Sequence, residues 1–156
     1  MTIRSLTLAD FDAVNTIFMQ MQNLHIKYRP DLYRKIEKPT THKAWDYEAS
    51  LEDGNKIMLG AETDGKIVGF CIIEIRQSES RALVLRTVAH INNIAVDENY
   101  RRKGIGKALY LEAVKLGKAR GADSVDLKVF SFNESAIAFY KSLGMTEQSF
   151  TMEQKI

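Results

Sequence analysis

The amino-acid sequence predicts one mixed α/β domain over residues 1–156, with a twisted, mostly antiparallel sheet of six or seven strands and four flanking helices. Segments in which apolar residues alternate are typical of strands, and segments in which they are spaced by three and four are typical of helices. These segments follow one another in the order β-α-α-β-β-β-α-β-α-β. Asp64-Gly65 lies between two apolar runs and is typical of a two-residue hairpin. The strand–helix–strand unit from Ile91 to Val129 should be parallel and right-handed.

The first third of the chain is predicted to form a strand and two helices. Thr2–Leu6 alternates and forms the strand, and Thr7-x-x-Asp10 resembles a capping box with Asp in place of the usual Glu. Residues 40–53 are predicted to form the second helix. The first helix, which Pro30 ends, has one largely apolar face that consists of Phe11, Val14, Phe18, Met21, His25 and Tyr28.

Three consecutive strands are predicted in the middle of the chain. Lys56–Glu62 and Lys66–Arg76 flank the hairpin turn and should pair in antiparallel fashion. Ser78–Arg81 is predicted to be a polar turn, and Leu83–Val96 a long strand that bends near His90. These strands lead directly into a turn that contains two glycines.

The last third of the chain is predicted to contain two helices, each followed by a strand. The first helix runs from about Gly104 to Arg120, and a strand over Ser124–Phe130 follows it. Asn133 is a natural N-cap for the fourth helix, which Gly144 ends. Met145–Lys155 is expected to be a final strand, although its alternation is weak.

The composition is that of an ordinary soluble globular protein, with 45% apolar and 27% charged residues. A net charge of +2 gives no case for nucleic acid or an acidic membrane surface as a partner. The one cysteine, Cys71, lies in an apolar run, so we expect a core residue and no internal disulfide. Because neither a signal peptide nor a spanning segment is visible, a cytoplasmic protein is expected.

The stretch Asn93–Leu109 organises the chain and predicts an anion site. It combines a short strand, a basic turn with Gly104 and Gly106, and the first turns of a helix. Glycine removes the side chain where a backbone must approach a ligand closely. The first amides of a helix have no intrahelical partner and lie at the positive end of its dipole, so they favour a phosphate group.

Two segments resemble the GCN5-related N-acetyltransferase (GNAT) superfamily. Arg101-Arg102-Lys103-Gly104-Ile105-Gly106 matches the R/Q-x-x-G-x-G/A signature of that family, directly after a hydrophobic strand. Asn133-x-x-Ala136-x-x-Phe139-Tyr140-x-x-x-Gly144-Met145 is similar to its N-x-x-A-x-x-x-Y-x-x-x-G-F segment, with Met in place of the usual Phe. The resemblance implies the GNAT fold and an enzyme that uses acetyl-CoA.

The resemblance also implies where acetyl-CoA binds. Backbone N–H groups from Arg102 to Lys107 would surround the pyrophosphate, and the cations of the motif would add charge-assisted contacts. In GNAT folds the strand at Asn93–Val96 splays from the strand beginning at Val125, and the pantetheine arm enters that gap. The expected cofactor-binding residues are Ile94, Ala95, Val96, Arg101, Arg102, Lys103, Gly104, Ile105, Gly106, Lys107, Ala108, Asn133, Ala136, Phe139 and Tyr140.

Three side chains are candidates for catalysis. GNAT enzymes often use a tyrosine at the position of Tyr140 as the general acid for the CoA sulfur, and a phenol with an ordinary pKa of about 10 is protonated at neutral pH. A backbone N–H near Ile94 would stabilise an oxyanion. An ammonium acceptor must lose a proton. Several GNAT enzymes place Glu or His at the positions of His90 and Asn92, so the resemblance implies that His90 could take it, whereas Asn92 could only orient water. Glu74 or a chain of water molecules are the alternatives.

The sequence therefore predicts an acetyl-CoA-dependent N-acetyltransferase that acts directly, in a ternary complex, on a primary amine of a small molecule or peptide. No metal-ligand cluster, catalytic serine or reactive cysteine is visible. Alternatives are transfer to a protein N-terminus or lysine, a non-catalytic acyl-CoA-binding module, and a structural domain. Protein N-terminal acetyltransferases of this fold often carry Glu or His where Lys128 stands, which argues against that acceptor. Leu24–Asp53 should select the acceptor, and the family suggests a homodimer.

Overall fold

Five β-strands form one sheet, in the order β1-β2-β3-β4-β5, in the computed structural model, which describes residues 1–42, 44–78 and 82–156. Neighbouring strands are antiparallel except for the parallel pair β4–β5. The strands are β1 (Thr2–Ser5), β2 (Lys56–Thr63), β3 (Lys66–Gln77), β4 (Thr87–Val96) and β5 (Ser124–Leu127). The α-helices are α1 (Phe11–Tyr28), α2 (Tyr47–Glu52), α3 (Ile105–Ala119) and α4 (Glu134–Ser142).

The hairpin between β2 and β3 forms where the sequence predicts it. Asp64 and Gly65 both have positive φ angles, 51° and 73°, as a type I′ turn requires. The ladder begins directly at the turn with the pair Thr63↔Lys66. The buried run of β3 is apolar without alternation because helices cover both faces of the sheet.

Each face of the sheet carries its own core. On one face α3 packs against β3 and β4, and on the other face α1 packs against β3 and β4 and α2 packs against β2. Cys71 is fully buried on the α3 face, as predicted. Within the described part of the chain, no helix combines the length and the apolar character that crossing a membrane requires. The α3 core includes Cys71, Ile73, Ala89, Ile91, Ile105 and Leu109, and the α1 core includes Phe11, Val14, Phe18, Phe70 and Ile72.

The predicted capping box at the start of the first helical segment is present. The Asp10 carboxylate accepts a hydrogen bond from the backbone N–H of Thr7 at 2.8 Å. The guanidinium of Arg4 donates to both oxygens of the same carboxylate, at 2.8 Å each. This buried acid therefore joins β1 to the entry of α1.

Two predicted strands are shorter than expected, and one is wrong. β4 begins at Thr87 rather than Leu83, because its ladder with β3 starts at Gln77↔Thr87. β5 ends at Leu127 rather than Phe130. Met145–Lys155 forms no strand in the described structure, and residues 146–156 make no backbone–backbone hydrogen bond there. A weak alternation without a partner ladder does not stabilise a strand, so the sheet has five strands instead of six or seven.

The predicted second helix is also shorter than residues 40–53. Trp45 and Asp46 have φ angles of 42° and 58°, which a right-handed α-helix cannot contain, so α2 begins at Tyr47. Lys43, within the predicted helix, lies outside the described residues. The same is true of residues 79–81 in the predicted polar turn Ser78–Arg81.

Candidate active site

The sheet opens between β4 and β5. The two strands pair from Val88↔Ser124 to Ile91↔Leu127 and no further, while β4 continues to Val96. Ile72 and Ile73 of β3 pair with residues 93 and 91, so Asn92 is an extra, bulged residue in β4. A β-bulge bends a strand and increases its twist, so β4 leaves β5 two residues beyond His90, close to the predicted bend.

Alternate backbone groups of β4 face this opening. The N–H of Asp97 donates to the carbonyl of Val68 at 2.9 Å, so these two residues form a hydrogen-bonded pair of the antiparallel ladder. Because such pairs alternate with non-bonded ones, the backbone of Ala95 also bonds to β3, whereas the N–H and C=O groups of Ile94 and Val96 point away from it. Of the three predicted strand residues, only Ile94 and Val96 present backbone groups to the opening.

The basic turn that follows β4 borders the same opening. Arg101 Nε donates to the carbonyl oxygen of Val96 at 3.3 Å, so its side chain lies along the open edge. Lys103 turns back and donates to the carbonyl of Asn99 at 3.3 Å. Arg102 is exposed and makes no hydrogen bond or ion pair with any residue in the described ranges. Its guanidinium is therefore available to an anion without breaking a contact.

The start of α3 presents free backbone amides, as predicted. Gly104, the N-cap, has a φ of 81°, a left-handed conformation that favours glycine. The N–H of Ala108 bonds to the carbonyl of Gly104 at 3.0 Å and is the first that the helix satisfies. The amides of Ile105, Gly106 and Lys107 precede it and lie at the positive end of the helix dipole, where they can bind phosphate oxygens.

α4 meets the start of α3 and the end of β4 at Gly106. A Cβ atom on this glycine would lie 3.6 Å from Cζ of Phe139 and 3.8 Å from Cγ2 of Val96. Asn133 caps α4 as predicted, because its side-chain oxygen accepts from the N–H of Ala136 at 3.3 Å. The second sequence motif is thus brought against the first, with Phe139 as the contact and Asn133 as the cap.

Tyr140 lies near the buried Cys71 and Tyr110. Its hydroxyl makes no hydrogen bond with a described residue, yet it is not among the fully buried unsatisfied polar atoms, so it retains access to solvent. Burial raises the pKa of Tyr140 to about 12, so the phenol stays protonated at neutral pH. An unpartnered, protonated phenol can donate to a bound group.

Glu74 lies on the opposite face of the sheet and is already engaged. Its carboxylate accepts from Arg76 at 2.7 Å and from the side chain of the bulged Asn92 at 3.2 Å. The hydrogen bond from Arg76 lowers the pKa of Glu74 below its ordinary value, although burial opposes that effect. A carboxylate stabilised in its charged form is a weak base, so the geometry does not favour Glu74 as the proton acceptor.

His90 lies beside Glu74 and has a partner that sequence reasoning missed. His90 pairs with Glu74 across β3–β4 and with Asp126 across β4–β5, so the three side chains share one face. His90 Nδ1 lies 2.6 Å from Oδ1 of Asp126. The alternation of β5 could have indicated this partner. Val125 and Leu127 face the α3 core, so Asp126 must face the other side of the sheet.

Aromatic side chains close the α1 side of the opening. Gln20 of α1 donates to the carboxylate of Asp97 and accepts from the N–H of Glu98, both at 3.0 Å, which fixes the helix at the end of β4. The last turns of α1 then contact the segment that follows β5. Ring contacts with centroid separations of 4.9–5.9 Å join His25, Tyr28, Tyr33, Phe130 and Phe132.

Taken together, the opening has chemically different sides. One end offers three amides and a free guanidinium to phosphate, and the open edge of β4 offers hydrogen bonds to an extended amide-containing chain. The α3 face offers a proton donor at Tyr140, and the α1 face offers the imidazole of His90. Such an arrangement can hold a phosphorylated thioester and deprotonate an amine beside it.

Sequence comparisons show which family the chain resembles. A model of the family described as the acetyltransferase (GNAT) family matches residues 18–145. An uncharacterized N-acetyltransferase of Methanocaldococcus jannaschii, MJ1207, is 33% identical over 147 residues, which are 94% of this chain and 61% of that protein. This chain therefore spans less than two thirds of that relative. An N-alpha-acetyltransferase of Sulfurisphaera tokodaii is 33% identical over 117 residues, 72% of this chain and 70% of that protein.

Solved structures share the fold over the whole chain. A mutant form of the BH1408 protein from Bacillus halodurans has a TM-score of 0.95 and 30% identity, and the match covers 100% of this chain and 99% of that one. The aminoglycoside N-acetyltransferase AAC(6')-Iy in complex with CoA has a TM-score of 0.75 and 17% identity, with 99% and 98% covered. At that identity the second likeness concerns the fold alone.

Proposed function

This chain belongs to the GNAT family of acetyltransferases, and from that membership we propose that it transfers the acetyl group of acetyl-CoA directly to a primary amine of a small molecule or a peptide. One observation carries the proposal. The edge of β4 beyond Ile91 has no partner in β5, its Val96 lies beside Gly106 at the free amides of α3, and Cys71, which pairs with Ile94, lies near the unpartnered Tyr140.

The residues present fit acetyl-CoA, which supplies the activated acetyl group in this family. The amides of Ile105, Gly106 and Lys107 bind the pyrophosphate, and the free guanidinium of Arg102 adds a charge-assisted contact. The outward N–H and C=O groups of Ile94 and the outward N–H of Val96 bind the amides of the pantetheine arm as an added strand would, whereas the carbonyl of Val96 already accepts from Arg101. The N–H of Ile94 is in addition the candidate donor to an oxyanion.

Tyr140 and His90 divide the proton transfers between the two faces of the opening. Tyr140 donates a proton to the departing sulfur. Its raised pKa keeps the phenol in the neutral, protonated form that this step needs. His90 takes a proton from the acceptor, which is required because an alkylammonium has a pKa of about 10.4. The carboxylates of Glu74 and Asp126 flank His90 and attract a cationic amine to this face.

A protein N-terminus is the second candidate acceptor. A relative that shares 33% identity is named an N-alpha-acetyltransferase, which supports this reading. Lys128 argues against it, because this exposed ammonium occupies the position where N-terminal acetyltransferases of the fold often carry a base. Its Nζ lies 5.4 Å from the Phe130 ring centroid and adds a positive charge near the acceptor side.

Two measurements test the proposal. Acetyl-CoA and CoA should raise the melting temperature of the protein, whereas NAD and ATP should not. Release of free CoA thiol should then be followed with polyamines, amino acids, aminoglycosides and short peptides, and the acetylated product identified by mass spectrometry. The matched control is each amine in its N-acetylated form, which should give no release. Stabilisation by acetyl-CoA without thiol release from any amine would instead indicate a non-catalytic acyl-CoA-binding module.

A further inference from the structure

His90 and Asp126 form a close pair at the point where β4 and β5 separate. They are direct partners in the parallel ladder, and Nδ1 of His90 lies 2.6 Å from Oδ1 of Asp126. The His90 side chain is 20% exposed and the Asp126 side chain 36% exposed. The next residue pair, Ile91↔Leu127, is the last before the opening, so the imidazole lies at its base.

The contact fixes which ring nitrogen is free. A carboxylate only accepts hydrogen bonds at neutral pH, so it holds the proton of a neutral imidazole on Nδ1. The lone pair then lies on Nε2, which makes no hydrogen bond with a described residue. Here the base is His90 and the group that orients it is Asp126. Other nucleophilic and acid–base sites also use a base that a third group holds in place.

We propose that Asp126 is a positioning residue for the acetyl transfer, because it holds His90 in the Nδ1–H tautomer with Nε2 directed at the acceptor amine. This inference rests on the proposed function. Nε2 takes one proton from the acceptor ammonium and forms an imidazolium, and the neutral amine then attacks the thioester carbon. The C–S bond breaks, and Tyr140 protonates the departing thiolate. The nitrogen of the new amide loses its second proton to solvent, and the phenolate of Tyr140 takes a proton back from solvent. The imidazolium also returns its proton to solvent.

Other charged groups on this face do not replace Asp126. From β3, Glu74 lies directly opposite His90, but Arg76 and Asn92 occupy its carboxylate. On α1, the helix that covers this face, His25 contacts the rings of Phe130 and Phe132, and its Nδ1 lies 2.9 Å from the carbonyl of Met21. After β5, Lys128 is an exposed cation whose Nζ lies 5.4 Å from the Phe130 ring centroid, and an ammonium cannot accept the Nδ1–H hydrogen bond as Asp126 does.

Kinetics of the full-length protein give the first test. Asp126→Ala should lower kcat about 10- to 100-fold and leave KM for acetyl-CoA within about twofold. Asp126→Glu should recover part of kcat. Adding Asp126→Ala to His90→Gln should lower kcat no further, because the two residues act as one unit.

The control is Asp12→Asn, which removes an exposed carboxylate in the first turn of α1, away from the opening. It should leave kcat, KM and the pH profile unchanged. Thermal melts of all variants separate lost folding from lost catalysis. Acetyl transfer by Asp126→Ala with an unchanged kcat would overturn the inference and leave the proposed function standing.

A second test needs no acceptor. Two-bond ¹H–¹⁵N correlation spectra of the wild-type protein above pH 8 should show the His90 proton on Nδ1, and Asp126→Ala should shift it mainly to Nε2, as in free histidine. A wild-type proton on Nε2, or an unchanged tautomer in Asp126→Ala, would overturn the inference. If the tautomer behaves as expected and no amine is acetylated, the pairing stands and the proposed function fails.

Discussion

Ile91 on β4 and Leu127 on β5 are the last residues that pair across the parallel edge of the sheet. Beyond them, β4 has a partner on β3 alone among the described residues, and the outward backbone groups of Ile94 and Val96 lie along the opening. A strand edge with unpaired N–H and C=O groups binds an extended ligand by main-chain hydrogen bonds. The backbone groups along the opening can therefore bind an extended ligand.

Proline substitutions on β4 separate this surface from the fold. Val96→Pro keeps the side-chain size roughly constant and removes an N–H that faces the opening, so acetyl-CoA should bind about 3- to 10-fold more weakly, as expected for one hydrogen bond. The control, Ala95→Pro, removes an N–H bonded to β3 and should lower the free energy of unfolding by about 1 to 3 kcal/mol. Calorimetric titration with acetyl-CoA and urea denaturation measure the two effects. Equal affinity for Val96→Pro and wild type would place the pantetheine arm elsewhere.

The raised pKa of Tyr140 leads to a specific prediction for the pH dependence of kcat. Because burial raises its pKa to about 12, the proton stays in place through neutral and moderately alkaline pH, and Tyr140 should produce no alkaline limb in kcat below about pH 11. Tyr140→Phe should lower kcat about 100-fold across pH 6–9. The control is Tyr110→Phe, which removes the hydroxyl of a neighbouring buried tyrosine. An unchanged kcat for Tyr140→Phe would exclude the general-acid role.

The two ends of α3 provide a matched pair of glycines. Gly104 before the helix and Gly121 after it have φ angles of 81° and 80°, so a side chain adds a similar strain of about 1 to 2 kcal/mol at both positions. Gly104→Asp places a negative charge beside the free amides and should abolish the rise in melting temperature that acetyl-CoA causes. Gly121→Asp should lower stability and keep that rise. Retained stabilisation by acetyl-CoA in Gly104→Asp would show that the pyrophosphate does not bind at α3.

The sequence predicted the parts of the fold that have a strong local cause. The hairpin at Asp64-Gly65, the cap at Asn133 and the left-handed Gly104 each depend on the backbone preferences of one or two residues, and all three are present. Met145–Lys155 has no such cause, because a strand exists only through a partner that the local pattern does not reveal. The bulge at Asn92 likewise depends on the register of β3 against β4.

In the candidate site, too, some residues have a local sequence signal and others do not. The amides of α3, the edge of β4 and Tyr140 follow from motifs, and the structure brings these elements together at Gly106 and Phe139. Alternation showed that Asp126 faces away from the core, but a helix separates β4 from β5 in the chain, and nothing in the local pattern fixes their register. The neighbour of His90 therefore emerges only from the folded sheet.

Acid stability offers a prediction that is independent of catalysis. The hydrogen bonds from Arg4 lower the pKa of the buried Asp10 from 3.8 to about 2, so the folded state holds this carboxylate ionised more firmly than the unfolded state does. The resulting stability, about 2 kcal/mol, is present above about pH 4 and is lost as the pH falls through 2. Urea denaturation should show Asp10→Asn about 2 kcal/mol less stable at pH 7, with a flatter dependence between pH 4 and 2. Asp12→Asn, an exposed neighbour, should change stability by less than about 0.5 kcal/mol. Equal acid sensitivity of Asp10→Asn and wild type would show that other carboxylates control unfolding in this range.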